Sequence, residues 1–244
     1  MKNFIIKHLP EVLVDFIKLK RKASKKKKQS AKEVFTNIKD SNHWSSVESV
    51  SGDGSELSVT IDLRNGLEEI IKEKKIKSIL DIPCGDFNWM KEVDLHGVNY
   101  TGGDIVSSLI LKNKEQFSKS NITFADLDLI TSQLPQVDLV FCRDCLVHLS
   151  YKDIYKALKN IKSSKSKYVL LTSFVKTEKN KDILTGEWRK LNLEAAPFFL
   201  GEPLHIIDEK YFKKEMKYAD KSMCLWRVED IKLPFMLRCY SWII

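Results

Sequence analysis

No stretch of this chain offers the 18 consecutive apolar residues that a bilayer-spanning helix needs. A second cysteine pair is missing too. Cys142 and Cys145 form a C-x-x-C, but no partner pair and no histidines at ligand spacing accompany them, which argues against zinc, and no metal is expected. The five cysteines are odd in number and irregular in spacing, which fits reduced thiols in a cytoplasmic compartment better than a disulfide framework. Glycine is sparse, at nine residues in 244, and no G-x-G-x-x-G follows an apolar run, which removes a dinucleotide fingerprint. The body also lacks excess charge of either sign. Net charge is +8, yet residues 1–30 hold ten Lys/Arg against Glu11 and Asp15, and the remaining 214 residues balance at 31 bases and 31 acids. A nucleic-acid-binding domain shows its basic face in the body itself, so no nucleic-acid partner is expected.

What remains is a chain 43% apolar, long enough for one large domain with an appendage. In "KNFIIKHLPEVLVDFIKL", residues 2–19, Phe4, Ile5, Leu9, Val12, Leu13, Phe16 and Ile17 fall near one helical face, and "KLKRKASKKKK" follows. An apolar helical face beside a cationic cluster has two readings. One is a peripheral anchor, residues 1–28, on an anionic membrane surface. The other is a helix packed on the body or on a partner chain, trailed by a solvated linker. Residues 31–60 are polar and read as a cap or lid, with turn chemistry at Ser51–Ser55 and Trp44 placed to cover something. A helix over about 61–75 follows, with Leu63, Leu67, Ile70 and Ile71 at helical spacing.

From residue 77 short apolar runs alternate with amphipathic stretches. Strands are expected at 78–82, 98–102, 121–125, 137–142 and 168–173, and helices at about 87–93, 105–118 and 150–163. That rhythm predicts an α/β fold with a doubly wound, mostly parallel sheet. Beyond residue 174 it breaks: a long segment over 175–205 leads to a short helix at about 208–218 and strands at 222–228 and 236–243. Tyr155 and Lys159 form a Y-x-x-x-K, but on an amphipathic helix with no Gly-rich start they read as a half-buried tyrosine and a surface lysine.

Doubly wound sheets bind ligands at the carboxyl ends of their strands. Here those ends are polar. The first carries Asp81 and the turn Pro83-Cys84-Gly85-Asp86, the second Asp104, the third Asp126 and Asp128, and the fourth Arg143, Asp144 and His148. An acid just past the second strand suits a ribose, whose two hydroxyls donate to one carboxylate.

The stretches "ILDIPCGDF", "YTGGDIV", "DLDLITSQLP" and "VDLVFCRDCLVHLS" resemble, in order, four segments of the class I S-adenosylmethionine-dependent methyltransferases, over about residues 61–244. The resemblance implies a Rossmann-like fold with S-adenosylmethionine as cofactor. Asp81, Pro83, Gly85 and Asp86 would form its loop, Asp104 and Ile105 its ribose site, and Asp128 and Leu129 its adenine contacts. Of the loop glycines of that family only Gly85 stands here, with Pro83 and Phe87 replacing two others; Phe87 either packs on the sheet or covers the methionine portion. Within the family, "W-S-S-x-E-S-V-S-G-D-G-S", "D-I-P-C-G-D-F-N-W-M" and "C-R-D-C-L-V-H-L-S" resemble small methyltransferases linked to surface-polysaccharide assembly.

Transfer of a methyl group to a hydroxyl requires a positioned proton acceptor. The candidates are Asp144 and His148, four residues apart and able to share a helical face. His148 acts as base or simply lines the cofactor pocket; Asp144 orients it, is the base itself, or caps the next helix. Arg143 either holds an anionic acceptor or pairs with a neighbouring aspartate. Trp188 and Arg189 form a substrate wall or a packed pair, and Trp44 closes the site or caps the sheet edge. The expected function is O-methylation of a glycan or glycan-precursor hydroxyl. The alternatives are methylation of a small phosphorylated metabolite, or a non-catalytic subunit of a membrane-associated assembly.

Overall fold

The computed structural model describes residues 18–24, 29–211 and 218–233. Seven strands form one sheet: β1 (Ser78–Asp81), β2 (Asn99–Asp104), β3 (Ile122–Asp126), β4 (Leu139–Cys142), β5 (Tyr168–Phe174), β6 (His205–Asp208) and β7 (Lys221–Arg227). Their order is β3-β2-β1-β4-β5-β7-β6. The first five are parallel, and β7 runs antiparallel to both β5 and β6. The order reverses between β1 and β4, which places a ligand crevice at their carboxyl ends.

Residue alternation along each strand divides the core into two layers. Leu80, Val140 and Leu171 pack on one face with Ile154, Leu158 and Ile161 of helix α4, Tyr151–Ser163. Ile79, Phe141 and Leu170 pack on the other with Leu63, Leu67 and Ile70 of α2, Ile61–Glu73, and with Ile110 of α3, Ser107–Phe117. Those three residues of α4 are fully buried; at about 1.5–3 kcal/mol per large aliphatic side chain, such faces hold the helices against the sheet. The expected doubly wound sheet, with helices on both faces, is the fold observed.

Four expectations need correction. Residues 87–93 form only a short 3-10 turn at Met90–Glu92, because Phe87 takes a left-handed backbone (φ +58) and ends helical propagation before it starts. Asp144 and His148 do not share a helical face: Asp144 has φ +50, a 3-10 turn at Leu146–His148 follows, and the helix begins where expected, capped by Ser150, which accepts from Asp153 N–H. Strand β6 lies where the sequence reads as the junction between a long loop and a helix. Helix α1, Ala31–Asp40, stands in the segment read as a polar cap, and its signal is a capping box in which Ser30 and Glu33 bond each other's backbone N–H. The strand expected at 236–243 and most of the helix expected at 208–218 lie outside the described residues, as do residues 1–17 and 25–28 of the proposed anchor.

Candidate functional site

A cavity of about 810 Å³ opens at the carboxyl ends of β1, β2 and β4, within the usual range for cofactor sites. Its floor is the turn after β1. Gly85 is left-handed (φ +56), and a Cβ there would stand 2.2 Å from Ser51 Oγ, so a side chain has no room. With the family's other glycines missing, neighbouring groups hold the turn. Cys84 N–H donates to the Gly103 carbonyl (2.8 Å), Gly85 N–H to Asp104 Oδ2 (3.1 Å), and the buried Asn113 amide to the Gly85 carbonyl (2.8 Å). Pro83 lines the cavity, after a cis bond from Ile82. Phe87 packs on the sheet, its ring centroid 5.2 Å from those of Tyr100 and Phe124.

Two buried acids face one another across the turn. Burial pushes the Asp81 carboxyl up to about 8, aided by the Asp104 charge and opposed by the Tyr100 hydroxyl, which donates to it at 2.6 Å. Burial also raises Asp104, to about 6, although Val106 N–H (2.8 Å) and Gly85 N–H both donate to its carboxylate. Asp104 and Ile105 line the cavity, as do Asp128 and Leu129. The Asp128 carboxylate accepts from Ile130 N–H (2.8 Å) and from the Thr131 hydroxyl (2.7 Å), shaping the turn after β3.

The cap closes over this floor through two charged latches. Asp86 accepts from the Ser49 hydroxyl (2.9 Å), Val50 N–H (2.9 Å) and the Ser51 hydroxyl (3.2 Å). The carboxylate of Asp86, expected at the cofactor, is thus also the anchor of the cap. On the far side Arg143 Nη2 donates to the Gly54 carbonyl at 2.8 Å. Trp44 lines the cavity with its ring 5.3 Å from that of His148.

The ends of β4 and β7 meet in a compact charge cluster. Arg143 is buried, with its guanidinium bonded to Glu209 and 3.4 Å from Asp144, and it stays protonated because those carboxylates outweigh its burial. Lys221 Nζ lies 2.6 Å from Asp144 Oδ2 and 3.3 Å from Glu209 Oε2. Burial would raise Asp144, but the Lys221 and Arg143 charges overcome it and hold the carboxyl down at about 2. Arg143 therefore pairs mainly with a distant glutamate. Lys221 and Glu209 escaped the sequence reading. Their only signal is a charged residue at the start of an apolar strand and another at the end of an unforeseen one.

His148 is the neutral member of the site. Burial lowers its pKa to about 4, against the opposing pull of the Asp144 carboxylate and the Glu187 carbonyl. Its Nδ1 lies 3.0 Å from that carbonyl, which only accepts, so the neutral ring carries its proton on Nδ1 and leaves Nε2 as an acceptor. Trp188 lines the cavity, 42% exposed, edge-on to Tyr218 at 5.3 Å and to Phe174 at 6.0 Å. Arg189 does not join it. It is buried outside the cavity lining, donating to the carbonyls of Leu146 and Leu149 at 2.8 Å each, and so braces the turn that carries His148. The expected wall is Trp188 without Arg189, because the Leu146 and Leu149 carbonyls at the two ends of the turn capture the guanidinium.

The residues present fit S-adenosylmethionine. The crevice is large enough, a carboxylate stands where ribose hydroxyls need an acceptor, and the left-handed Gly85 leaves backbone rather than side chain at the floor. Residues 79–165 match a family model described as a methyltransferase domain. A search of curated protein sequences matched none of them. Magnesium protoporphyrin IX methyltransferase from Synechocystis PCC 6803, with S-adenosylmethionine bound, is similar in structure, at 14% identity over 83% of this chain and 99% of that one, with a TM-score of 0.54. Its complex with S-adenosylhomocysteine aligns over only 49% of this chain and 58% of that one, at 17% identity and a TM-score of 0.41. PigF with S-adenosylhomocysteine is similar over 82% of this chain and 63% of that one, at 13% identity and a TM-score of 0.54. The [4+2]-cyclase SpnF also aligns, at 16% identity over 67% of this chain and 80% of that one, with a TM-score of 0.50. The cyclase illustrates that a fold alone does not specify a reaction; the matched domain narrows it. Residues 79–165 thus match a methyltransferase-domain model, within a chain whose architecture is that of the class I methyltransferase fold.

Proposed function

We propose that the chain O-methylates a hydroxyl of a glycan or glycan precursor, with His148 taking the hydroxyl proton. The observation that carries this reading is the fixed, neutral imidazole in the cavity wall: Nδ1–H is committed to the Glu187 carbonyl, so Nε2 is the acceptor. Proton removal by such a group contributes about 10²–10⁴-fold to rate. Bound S-adenosylmethionine supplies an electrophilic sulfonium methyl group. For the rest, Asp104 would accept from the ribose hydroxyls with Ile105 beside it, and Asp128 and Leu129 would hold the adenine. Asp81, Pro83, Gly85 and Asp86 would carry the methionine end.

Asp144, held near 2 by two cations, is a poor base at neutral pH. It accepts a hydrogen bond from an acceptor hydroxyl and stabilises the imidazolium that forms on His148. Arg143 has its fork committed to Glu209 and Gly54, which disfavours the phosphorylated-metabolite alternative. The faces of Trp44 and Trp188 suit a sugar ring. Residues 1–28 are proposed to hold the protein reversibly at the cytoplasmic face of an anionic membrane, at about 1 kcal/mol per near-surface Lys or Arg. No helix among the described residues is long and apolar enough to cross one.

Calorimetry with S-adenosylmethionine tests the cofactor site. The wild type is expected to bind, and Asp104→Ala to bind about 10–100-fold more weakly, the equivalent of one charged hydrogen-bonding group. Labelled S-adenosylmethionine offered with neutral sugars, phosphorylated metabolites and glycan precursors then tests the acceptor. Label entering only phosphorylated small molecules would overturn the glycan reading.

A further inference from the structure

The amino-terminal segment ends at the acceptor side of the cavity. Residues 18–24 are helical, and Lys22 Nζ pairs with Glu187 Oε1 at 2.8 Å. Glu187 lines the cavity and holds His148 through its carbonyl. Helix α1 rests on the same loop: a Cβ on Gly186 would stand 2.4 Å from Val34 Cγ1, and Gly186 N–H donates to the His148 carbonyl at 2.8 Å. Two successive parts of the segment are therefore seated on the loop that frames the proposed base. Trp188, next in that loop, both lines the cavity and is 42% exposed, so it marks where the cavity meets solvent.

The docked helix belongs to the stretch of sequence in which this otherwise neutral chain concentrates positive charge. Lys18, Lys20, Arg21 and Lys22 are exposed on the docked helix, and Lys25 to Lys28 follow in sequence. A cationic rim favours a polyanionic partner. The order of the sequence selects which one: the cations are preceded by the apolar positions Phe4, Ile5, Leu9, Val12, Leu13, Phe16 and Ile17, the composition of a segment lying in a lipid interface, while the body has no excess base for nucleic acid.

We propose that the mouth of the cavity faces an anionic lipid surface, and that the acceptor hydroxyl belongs to a molecule anchored in that surface, methylated without leaving it. This deepens the reading of the cavity as a methyltransferase site and rests on it. Membrane attachment by itself leaves the mouth free to point anywhere; the Lys22–Glu187 pair ties the cationic helix to the rim and fixes the direction.

The test uses the full chain and phosphatidylcholine vesicles with and without phosphatidylglycerol, carrying a doxyl quencher high on the acyl chain. Binding is expected only with phosphatidylglycerol, weakening about fivefold for each cation removed among Lys18→Gln, Lys20→Gln and Arg21→Gln. The Trp188 emission, obtained as the difference between wild type and Trp188→Phe, is expected to be quenched on bound vesicles. No binding, or binding with that emission unquenched, overturns the proposal, as does displacement from the vesicles by homopolymeric RNA at equal charge concentration. Calorimetry with S-adenosylmethionine on the same preparation separates the two layers. Cofactor binding without quenching defeats the orientation alone; absence of cofactor binding defeats the reading beneath it.

Discussion

At the scale of single residues the site separates two titratable groups that the sequence offered as equals. Asp144 and His148 are both half-buried in the cavity wall, yet one sits between two cations and the other between an indole and a carbonyl. The carboxylate is pinned near 2 and the imidazole near 4, so both are in their deprotonated forms at pH 7. The imidazole is the better acceptor of the two because it has the higher pKa and a free ring nitrogen. With saturating cofactor, kcat is expected to stay level on acidification through 6.5, where an ordinary histidine protonates, and to fall only toward about 4. His148→Ala is expected to lower kcat about 10²–10⁴-fold, and Asp144→Asn to lower it less. An acid limb near 6.5 would show that His148 is not in this buried state, and an unchanged kcat in His148→Ala would remove it from the reaction.

At the scale of elements a cap over residues 31–60 was expected, but the contacts that fasten it were not. Its two ends are latched by Asp86 and Arg143, charges projected from the carboxyl ends of β1 and β4. Hydrogen bonds to a charged group contribute about 1.5–3 kcal/mol each, so the latches are strong for a loop with so few buried apolar side chains. Asp86→Ala is expected to free residues 44–56 for proteolysis and to weaken cofactor binding by about tenfold or more, while circular dichroism keeps the sheet signature. Limited proteolysis read alongside calorimetry checks this; a cap that remains resistant would mean that Arg143 and packing hold it unaided. The five parallel strands were legible in the sequence because each is a short apolar run, and the first four end in or run directly into Asp or Arg. Their polar ends disclosed Asp81, Asp104, Asp128 and the 143–148 turn for the same reason. The cap's latches, Lys221 and Glu209 were not legible, since each depends on pairing across 35 to 90 positions of chain, which no local pattern records. Helix 87–93 was misread because the left-handed backbone at Phe87 is set by tertiary packing among Tyr100, Phe117 and Phe124.

At the scale of the whole molecule the site is built at some cost in stability, and that cost depends on pH. Asp81 is ionised above about 4 in an unfolded chain but keeps its proton to about 8 in the fold. Between those values the folded state binds the extra proton, so this group's contribution to stability falls as pH rises, by about 1.4 kcal/mol per unit at most. Asp104 acts in the same direction up to about 6. His148 acts oppositely, because the unfolded chain takes up a proton below 6.5 that the folded ring refuses until about 4. A difference measurement isolates Asp81 from these. Asn at this position retains an oxygen for the Tyr100 hydroxyl and carries no ionisable proton. The melting temperature of Asp81→Asn relative to wild type is therefore expected to rise steadily from pH 5 to pH 8, by about 3–6 °C per unit at most, and to level off above 8. Calorimetric or fluorescence melts across that range decide it. A difference independent of pH would mean that Asp81 ionises normally in the folded protein, and that the turn after β1 holds a full negative charge where the cofactor's methionine end is proposed to lie.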